Sequence, residues 1–247
     1  MDDNGSRYLH LLKLCLTNAV YGDSNMLGGL PRAYNPDLRA EGRDWPSSAH
    51  TMVGLKRLDN IQFCVEDVLA RGVPGDLIET GVWRGGSVIL MRAILKAHGE
   101  TDRTVWVADS FEGLPPPNAQ KYPQDAKLML NRFKELAISL ESVQNNFRVY
   151  GLLDDQVRFL KGWFRDTLPA APIQRLAVLR LDGDLYESTM DALVSLYPKL
   201  ESGGYCIIDD YNAIGACRQA VLDYRGRNGI TEEIFEVDWT AVYWKRA

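Results

Sequence analysis

From residue 75 onward the chain alternates short β-branched and aromatic runs with helical ones, and this alternation constrains the fold more than any other feature. Five runs read as strands: DLIET (76–80), TVWVADS (104–110), VRFLKG (157–162), LAVLRLD (176–182) and GGYCIIDD (203–210). Helical periodicity lies between them. SVILMRAILKAH (87–98) repeats Val88, Met91 and Leu95, with Ser87 placed to cap its start. ESTMDALVSLYPKL (187–200) gathers Met190, Leu193, Val194 and Tyr197 on one face behind a Ser188/Asp191 capping pair. A helical ACRQAVLDYRGRNG (216–229) follows the fifth strand. Two last runs, EIFEVD (233–238) and AVYWKR (241–246), flank WT and predict an antiparallel pair. The expected class is α/β: a mostly parallel seven-stranded sheet with helices on both faces and an antiparallel pair at its C-terminal end.

In such sheets ligands bind outside the carboxyl ends of the strands. The five strands finish at Glu79, Asp109, Gly162, Asp182 and the pair Asp209–Asp210. Four of these five ends are acidic, which marks a site rather than a solvated rim.

The first 72 residues differ. YLHLLKLCLTNAV and LKRLDNIQFCVEDVLARG read as amphipathic helices, and a Gly/Pro/Asp-rich stretch (21–48) separates them. Irregular segments of that length are often lids. Met26, Leu27, Leu30, Tyr34 and Trp45 give this one something to bury. The expected organisation is residues 1–72 as N-terminal helices and lid, and 73–247 as a ligand-binding core, compact as one domain. Net charge is −5 with no long basic run, which argues against a nucleic-acid partner. Cys15, Cys64, Cys206 and Cys217 are widely spaced and form no CxxC, which argues against zinc or a disulfide framework and for a reducing cytoplasm. His10 and Lys13 interrupt the first apolar stretch, so neither a signal peptide nor a membrane span is expected.

IETGVWRGGSV (78–88) is a strand, a glycine turn and a helix start. Gly81 lets the chain turn, while Gly85 and Gly86 are placed to let backbone approach a ligand at the helix N-terminus. Trp83 stands where a dinucleotide loop wants its second glycine. A ligand without a pyrophosphate there, such as S-adenosylmethionine, fits better. Asp109 is placed to accept from ribose hydroxyls, the adjacent SFEG to contact adenosine, and Trp163 to cover the adenine unless it is a core aromatic. At the other end, Asp182, Asp209 and Asp210 plus substrate and water oxygens would make an all-oxygen site suited to Mg²⁺. Asp184 and Glu187 crowd the same loop, and Glu187 reads as the first turn of a helix. DGDLYEST also matches the nucleophile loop of haloacid-dehalogenase-like phosphatases, but there the Asp follows the first strand. The DxD of a metal-bound nucleotide sugar leaves ETGVWRGG and IIDDY unexplained.

Taken in order, LIETGVWRGGS, VWVADSFEG, LLDDQVRFLKGWFRDTLP, LAVLRLDGDLYESTMDAL and GGYCIIDDY resemble the TylF-type macrocin O-methyltransferase family, as do the upstream WPSSAHTMVGLKRLDN and GVPGDLIETGVWRGG. The resemblance runs from about residue 6 to the C-terminus. It implies a Rossmann-like class I methyltransferase using S-adenosylmethionine and Mg²⁺ to methylate a sugar hydroxyl of a glycosylated natural product, and a homodimer. It implies cofactor contacts at Met52, at Glu79, Thr80, Gly81, Val82, Trp83, Arg84 and Ser87, at Asp109, Ser110 and Phe111, and at Gly162, Trp163 and Asp182. Asp182 is implied as both metal ligand and base, with Asp184 or a water as rival base; Asp184, Tyr186 and Tyr211 are the candidate substrate contacts. His50 is expected to serve structure. Catechol or phenol methylation by the same cation is the alternative chemistry, and a non-catalytic adenosyl-binding protein the alternative class, although it has no use for three acids at the strand tips.

Overall fold

The computed structural model describes residues 2–26 and 30–247. Strands β1 (Asp76–Thr80), β2 (Val105–Asp109), β3 (Val157–Lys161), β4 (Leu176–Leu181), β5 (Leu200–Ile208), β6 (Phe235–Glu236) and β7 (Val242–Lys245) form one sheet in the order β3-β2-β1-β4-β5-β7-β6. The first five are parallel; β7 runs antiparallel to β5, and β6 antiparallel to β7. The expected seven strands and closing antiparallel pair are present. The helices are α1 (Asp3–Leu16), α2 (Pro36–Ala40), α3 (Leu55–Ala70), α4 (Gly86–Ala97), α5 (Leu140–Val149), α6 (Phe164–Thr167), α7 (Tyr186–Leu196) and α8 (Gly215–Arg227).

Strand alternation sorts the core into two layers. Leu77, Val105, Val107, Val178 and Ile207 face one way and pack with Leu9, Leu16, Leu58, Ile61, Ile89 and Phe147 from α1, α3, α4 and α5. Ile78, Trp106, Leu179 and Cys206 face the other way, against Met190, Leu193, Ala220 and Val221 from α7 and α8. Because α1 and α3 share the core of α4, the N-terminal helices are part of one packed layer. None of the described helices is long and apolar enough to cross a membrane.

Three local expectations fail. Gly85, at φ +88°, is the N-cap of α4, so Ser87 lies inside the helix, where it is buried. The helix expected to be capped by Ser188 and Asp191 begins earlier, at Tyr186, and its first N–H groups are satisfied from elsewhere in the chain. The fifth strand starts at Leu200 rather than at residue 203.

The segment 21–48 is held by charge more than by apolar burial. The Arg39 guanidinium, 1 % exposed, donates from Nε to both Asp44 oxygens at 2.9 Å and from Nη1 to Asp23 Oδ1 at 2.5 Å and the Thr17 carbonyl at 2.7 Å. Trp45 meets Phe133 edge-on at 5.4 Å and Tyr34 lies under Arg39, but Leu30 is 73 % exposed; Leu27 lies outside the described residues. Burial opposes ionisation of Asp23, yet the Ser48 and Ala49 N–H groups and Arg39 together hold it down at about 2. Its contribution to stability is therefore full above the ordinary carboxylate range and disappears as the pH falls through about 2. Asp23→Asn is expected to cost about 2 kcal/mol at pH 7 by denaturant titration, with the deficit shrinking below pH ~4.

Candidate active site

The register decides which strand tips meet. Thr80 of β1 pairs with Leu181 of β4, and Leu181 pairs with Ile208 of β5, so Gly81, Asp182 and Asp209 leave the sheet side by side. This is where strand order reverses, between β1 and β4, the position at which open α/β sheets bind ligands. A Cβ on Gly81 would lie 1.8 Å from the Asp182 carbonyl oxygen, and Gly81 sits at φ +84°. Only glycine permits that approach. Among the described residues, three of the four non-glycine residues with positive φ also stand just beyond strand tips: Trp83, Phe111 and Asp184. Such backbone clusters where a site over-determines it.

A cavity of about 470 Å³ opens over these tips. Its cofactor-side lining includes Met52, Gly81, Trp83, Asp109, Ser110, Gly162 and Trp163; its acidic side includes Asp182, Asp184, Asp209 and Asp210. Eleven of the expected site residues thus share one space. The others do not reach it. Val82 and Phe111 donate their N–H groups to Asp109 at 2.8 and 2.7 Å, orienting that carboxylate. Arg84 turns away, stacks on Trp83 at 4.1 Å, and donates to the carbonyls of Pro46, Ser47 and Ala49. Thr80 is fully buried, and Glu79 lies under the sheet tip against Arg180.

Gly85 and Gly86 make room for protein. A Cβ on Gly86 would meet Thr51 Cβ at 2.6 Å and the His50 carbonyl oxygen at 2.7 Å, and the Gly86 N–H donates to that carbonyl at 2.9 Å. A Cβ on Gly85 would meet Val143 at 2.9 Å. The loop carrying Met52 is therefore seated on the start of α4. His50 completes that seat through a 2.7 Å hydrogen bond between Nδ1 and the Tyr150 hydroxyl, away from the acids. Tyr186 and Tyr211 also lie outside the cavity lining: Tyr186 donates to Asp223 Oδ2 at 2.8 Å, and Tyr211 is buried with Arg218 over its ring. Glu187 does sit in the first turn of a helix, but its carboxylate also faces the cavity, 3.6 Å from Arg165.

The acidic end is built on two arginines that the sequence reading passed over. Arg180, fully buried near the end of β4, donates to Glu79, to Asp182 Oδ2 at 2.8 Å and to Asp209 Oδ1. Arg57 of α3 donates to Asp209 Oδ2 at 2.5 Å, pairs with Asp238 at 3.0 Å, and reaches the Gly42 carbonyl at 3.2 Å. Two guanidiniums thus face five carboxylates, Glu79, Asp182, Asp209, Asp210 and Asp238, and Asp184 lies against Asp182 and Asp209 with no cation of its own among the described residues. Burial first, and neighbouring carboxylates second, push Asp182 up to about 6 and Asp184 up to about 8, and raise Asp210 well above the usual carboxylate range. Asp182, Asp209 and Asp210 each offer an oxygen, the three lying within 4.8 Å of one another. Asp210 Oδ2 is buried without a hydrogen-bond partner, and Asp182 keeps Oδ1 outside its arginine contact. Each Asp209 oxygen accepts from an arginine and retains a second lone pair. Excess negative charge, an orphaned oxygen and an all-oxygen donor set fit a hard divalent cation.

Residues 114–151, which carry no sequence-based expectation, supply a cavity wall through Leu114, Pro115, Leu130 and Leu136. Trp239, Thr240 and Ile214 complete the rim from the β6–β7 turn and the start of α8.

Comparison with known proteins agrees with this arrangement. The profile of the macrocin-O-methyltransferase (TylF) family matches residues 25–246. The chain is 61 % identical to 8-demethyl-8-(2,3-dimethoxy-α-L-rhamnosyl)-tetracenomycin-C 4′-O-methyltransferase of Streptomyces olivaceus, across 99 % of this chain and 94 % of that one. It is 55 % identical to mycinamicin III 3″-O-methyltransferase of Micromonospora griseorubida, across 97 % and 96 %. The solved structure of the O-methyltransferase NovP superimposes with a TM-score of 0.94 at 55 % identity, covering 98 % of this chain and 99 % of that one.

Proposed function

We propose, for a chain that belongs to the macrocin O-methyltransferase (TylF) family and is an S-adenosylmethionine-dependent O-methyltransferase of Rossmann-like class I fold, that it transfers the cofactor's methyl to a sugar hydroxyl of a glycosylated natural product. The observation that supports this most is that one cavity contains both the Gly81–Asp109 tips and the Asp182/Asp209/Asp210 trio. In this reading Gly81, Trp83, Asp109, Ser110, Gly162, Trp163 and Met52 hold the cofactor, with Asp109 accepting from its ribose. Glu79, Thr80, Val82, Arg84, Ser87 and Phe111 act from beneath, by fixing those groups. Residues 1–72 form the outer wall and 73–247 the transferase core.

Asp182, Asp209 and Asp210 would hold Mg²⁺, which when bound supplies the positive charge that acidifies a sugar hydroxyl and stabilises the developing alkoxide. A sugar hydroxyl is a poor nucleophile near neutral pH, so its orientation and deprotonation carry the reaction. Asp182 takes the proton while an oxygen lone pair forms the new O–C bond and the C–S bond breaks, leaving S-adenosylhomocysteine. Asp184 lies two residues on, facing the same cavity, and is placed to accept from a neighbouring sugar hydroxyl. Leu114, Pro115, Leu130, Leu136, Ile214 and Trp239 offer an apolar wall suited to an aglycone.

The test is turnover of labelled S-adenosylmethionine with the tetracenomycin rhamnoside and mycinamicin III named for the relatives, and with catechol, after chelation and after Mg²⁺ is restored. Transfer to a glycoside that chelation abolishes and Mg²⁺ restores is the expected result. Preferred transfer to catechol would favour phenol chemistry, and cofactor binding without transfer would favour a non-catalytic role. Homodimeric assembly and a cytoplasmic place of action complete the proposal; sedimentation at assay concentration tests the first.

A further inference from the structure

The cavity wall between β2 and α5 has little core of its own. From Glu112 to Ser139 one residue is buried, and it is a carboxylate: Asp125, 0 % exposed. Three single 3-10 turns, at 123–125, 130–132 and 134–136, are its only regular structure. A thirty-residue excursion so poor in buried apolar surface owes its shape to a few fixed points.

Asp125 is one of them. Its Oδ1 accepts the Tyr186 N–H at 2.7 Å and its Oδ2 the Glu187 N–H at 3.1 Å. These are the first two residues of α7, and the N-cap residue, Leu185, has no side chain able to cap it. A capping role normally filled by the residue before a helix is thus filled from 61 positions away. The negative charge also suits the positive end of the α7 dipole. The 123–125 turn sits against α7 and α8, and the Tyr122 ring lies 5.7 Å from Tyr186, whose hydroxyl ties to Asp223 of α8. The other fixed points lie at the opposite end of the wall: Trp83 Nε1 donates to the Glu135 carbonyl at 2.9 Å, and Trp45 packs on Phe133.

Asp182, Gly183 and Asp184 run directly into the capped helix, with Leu185 N–H on the Gly183 carbonyl at 2.6 Å and Asp184 in the left-handed region. A single buried carboxylate therefore holds the start of the helix that follows the acidic loop and also anchors the wall that faces that loop. We infer that Asp125 is a positioning residue for the acceptor: by capping α7 it fixes the distance between the Leu114/Leu130/Leu136 wall and the Asp182–Asp184 loop. It touches neither the cofactor side of the cavity nor the acid trio. This inference rests on the proposed transferase reading for its kinetic consequence, but not for its structural one.

The experiment compares wild type, Asp125→Ala and Asp125→Asn by amide hydrogen exchange, S-adenosylmethionine calorimetry, and kinetics on whichever of the two glycosides the wild type accepts. The Ala variant is expected to speed exchange about tenfold in 112–139 and at the start of α7. It should raise the acceptor KM by about tenfold, lower kcat less, and leave the cofactor Kd within about twofold. The Asn variant keeps one acceptor oxygen for the Tyr186 N–H and should recover most of both effects, because Asn and Asp cap comparably. Unchanged exchange in 112–139, or an unchanged acceptor KM in the Ala variant, overturns the inference. So does exchange that rises uniformly through the sheet with no rescue by Asn, since that is a folding defect alone. If the wild type methylates no glycoside, the transferase reading fails, while the exchange data still decide whether Asp125 anchors the wall.

Discussion

Replacing Asp182 with asparagine lowers kcat by about a thousandfold, while S-adenosylmethionine binds within about threefold of its normal affinity. The substitution is nearly isosteric, and its amide can still accept from Arg180, so the arginine contact at 2.8 Å has a partner. What it removes is the charge and the basic oxygen. Loss of a positioned base contributes about 10²–10⁴ in rate, and weaker cation retention moves the result toward the upper part of that range. The cofactor-side groups Asp109, Gly162 and Trp163 come from β2 and β3, on the far side of β1, and feel little of this change. Calorimetry and single-turnover kinetics on one preparation check both halves. Normal turnover by the variant would remove Asp182 from the mechanism.

Arg180→Leu acts on stability. Arg180 is fully buried and pairs with Glu79, Asp182 and Asp209. Leucine fills much of its volume but leaves three carboxylates at the sheet tip with only Arg57 nearby, and that guanidinium contacts Asp209 alone among the three. Breaking a buried ionic cluster by removing one sign of charge costs about 3–5 kcal/mol. In a chain of this length that lowers the melting temperature by roughly 10 °C. Calorimetric melting of the two proteins measures it. A shift of only one or two degrees would mean that the acids are neutral in the native state and need no arginine.

Much of the sheet was legible because its strands are short, apolar and punctuated, and because parallel strands require helical crossovers. The acid trio was legible for the same reason: β4 and β5 end in aspartates, and their pairing follows from the topology. Individual caps were less so. Ser87 and Ser188 have the right chemistry for capping, yet the α4 cap is a glycine and the α7 cap is the distant Asp125, which no local pattern announces. Gly86 illustrates a different limit. Its lack of a side chain was apparent, but whether a ligand or the His50–Thr51 loop uses the space is a tertiary fact. Arg180 did leave a signal, as the one charge in LAVLRL before the closing Asp182, since arginine is seldom buried unless paired. Tyr186 stood near the acids in sequence, but its helix turns the ring away toward Tyr122 and Asp223.

The central claim is that this cavity methylates a sugar. Its most direct measurement is the carbon-13 NMR spectrum of product made with methyl-labelled S-adenosylmethionine and a glycoside bearing both sugar and phenolic hydroxyls. The account predicts one new methoxy carbon coupled through oxygen to a sugar ring proton. A methoxy carbon on the phenol, with the sugar unchanged, would contradict it.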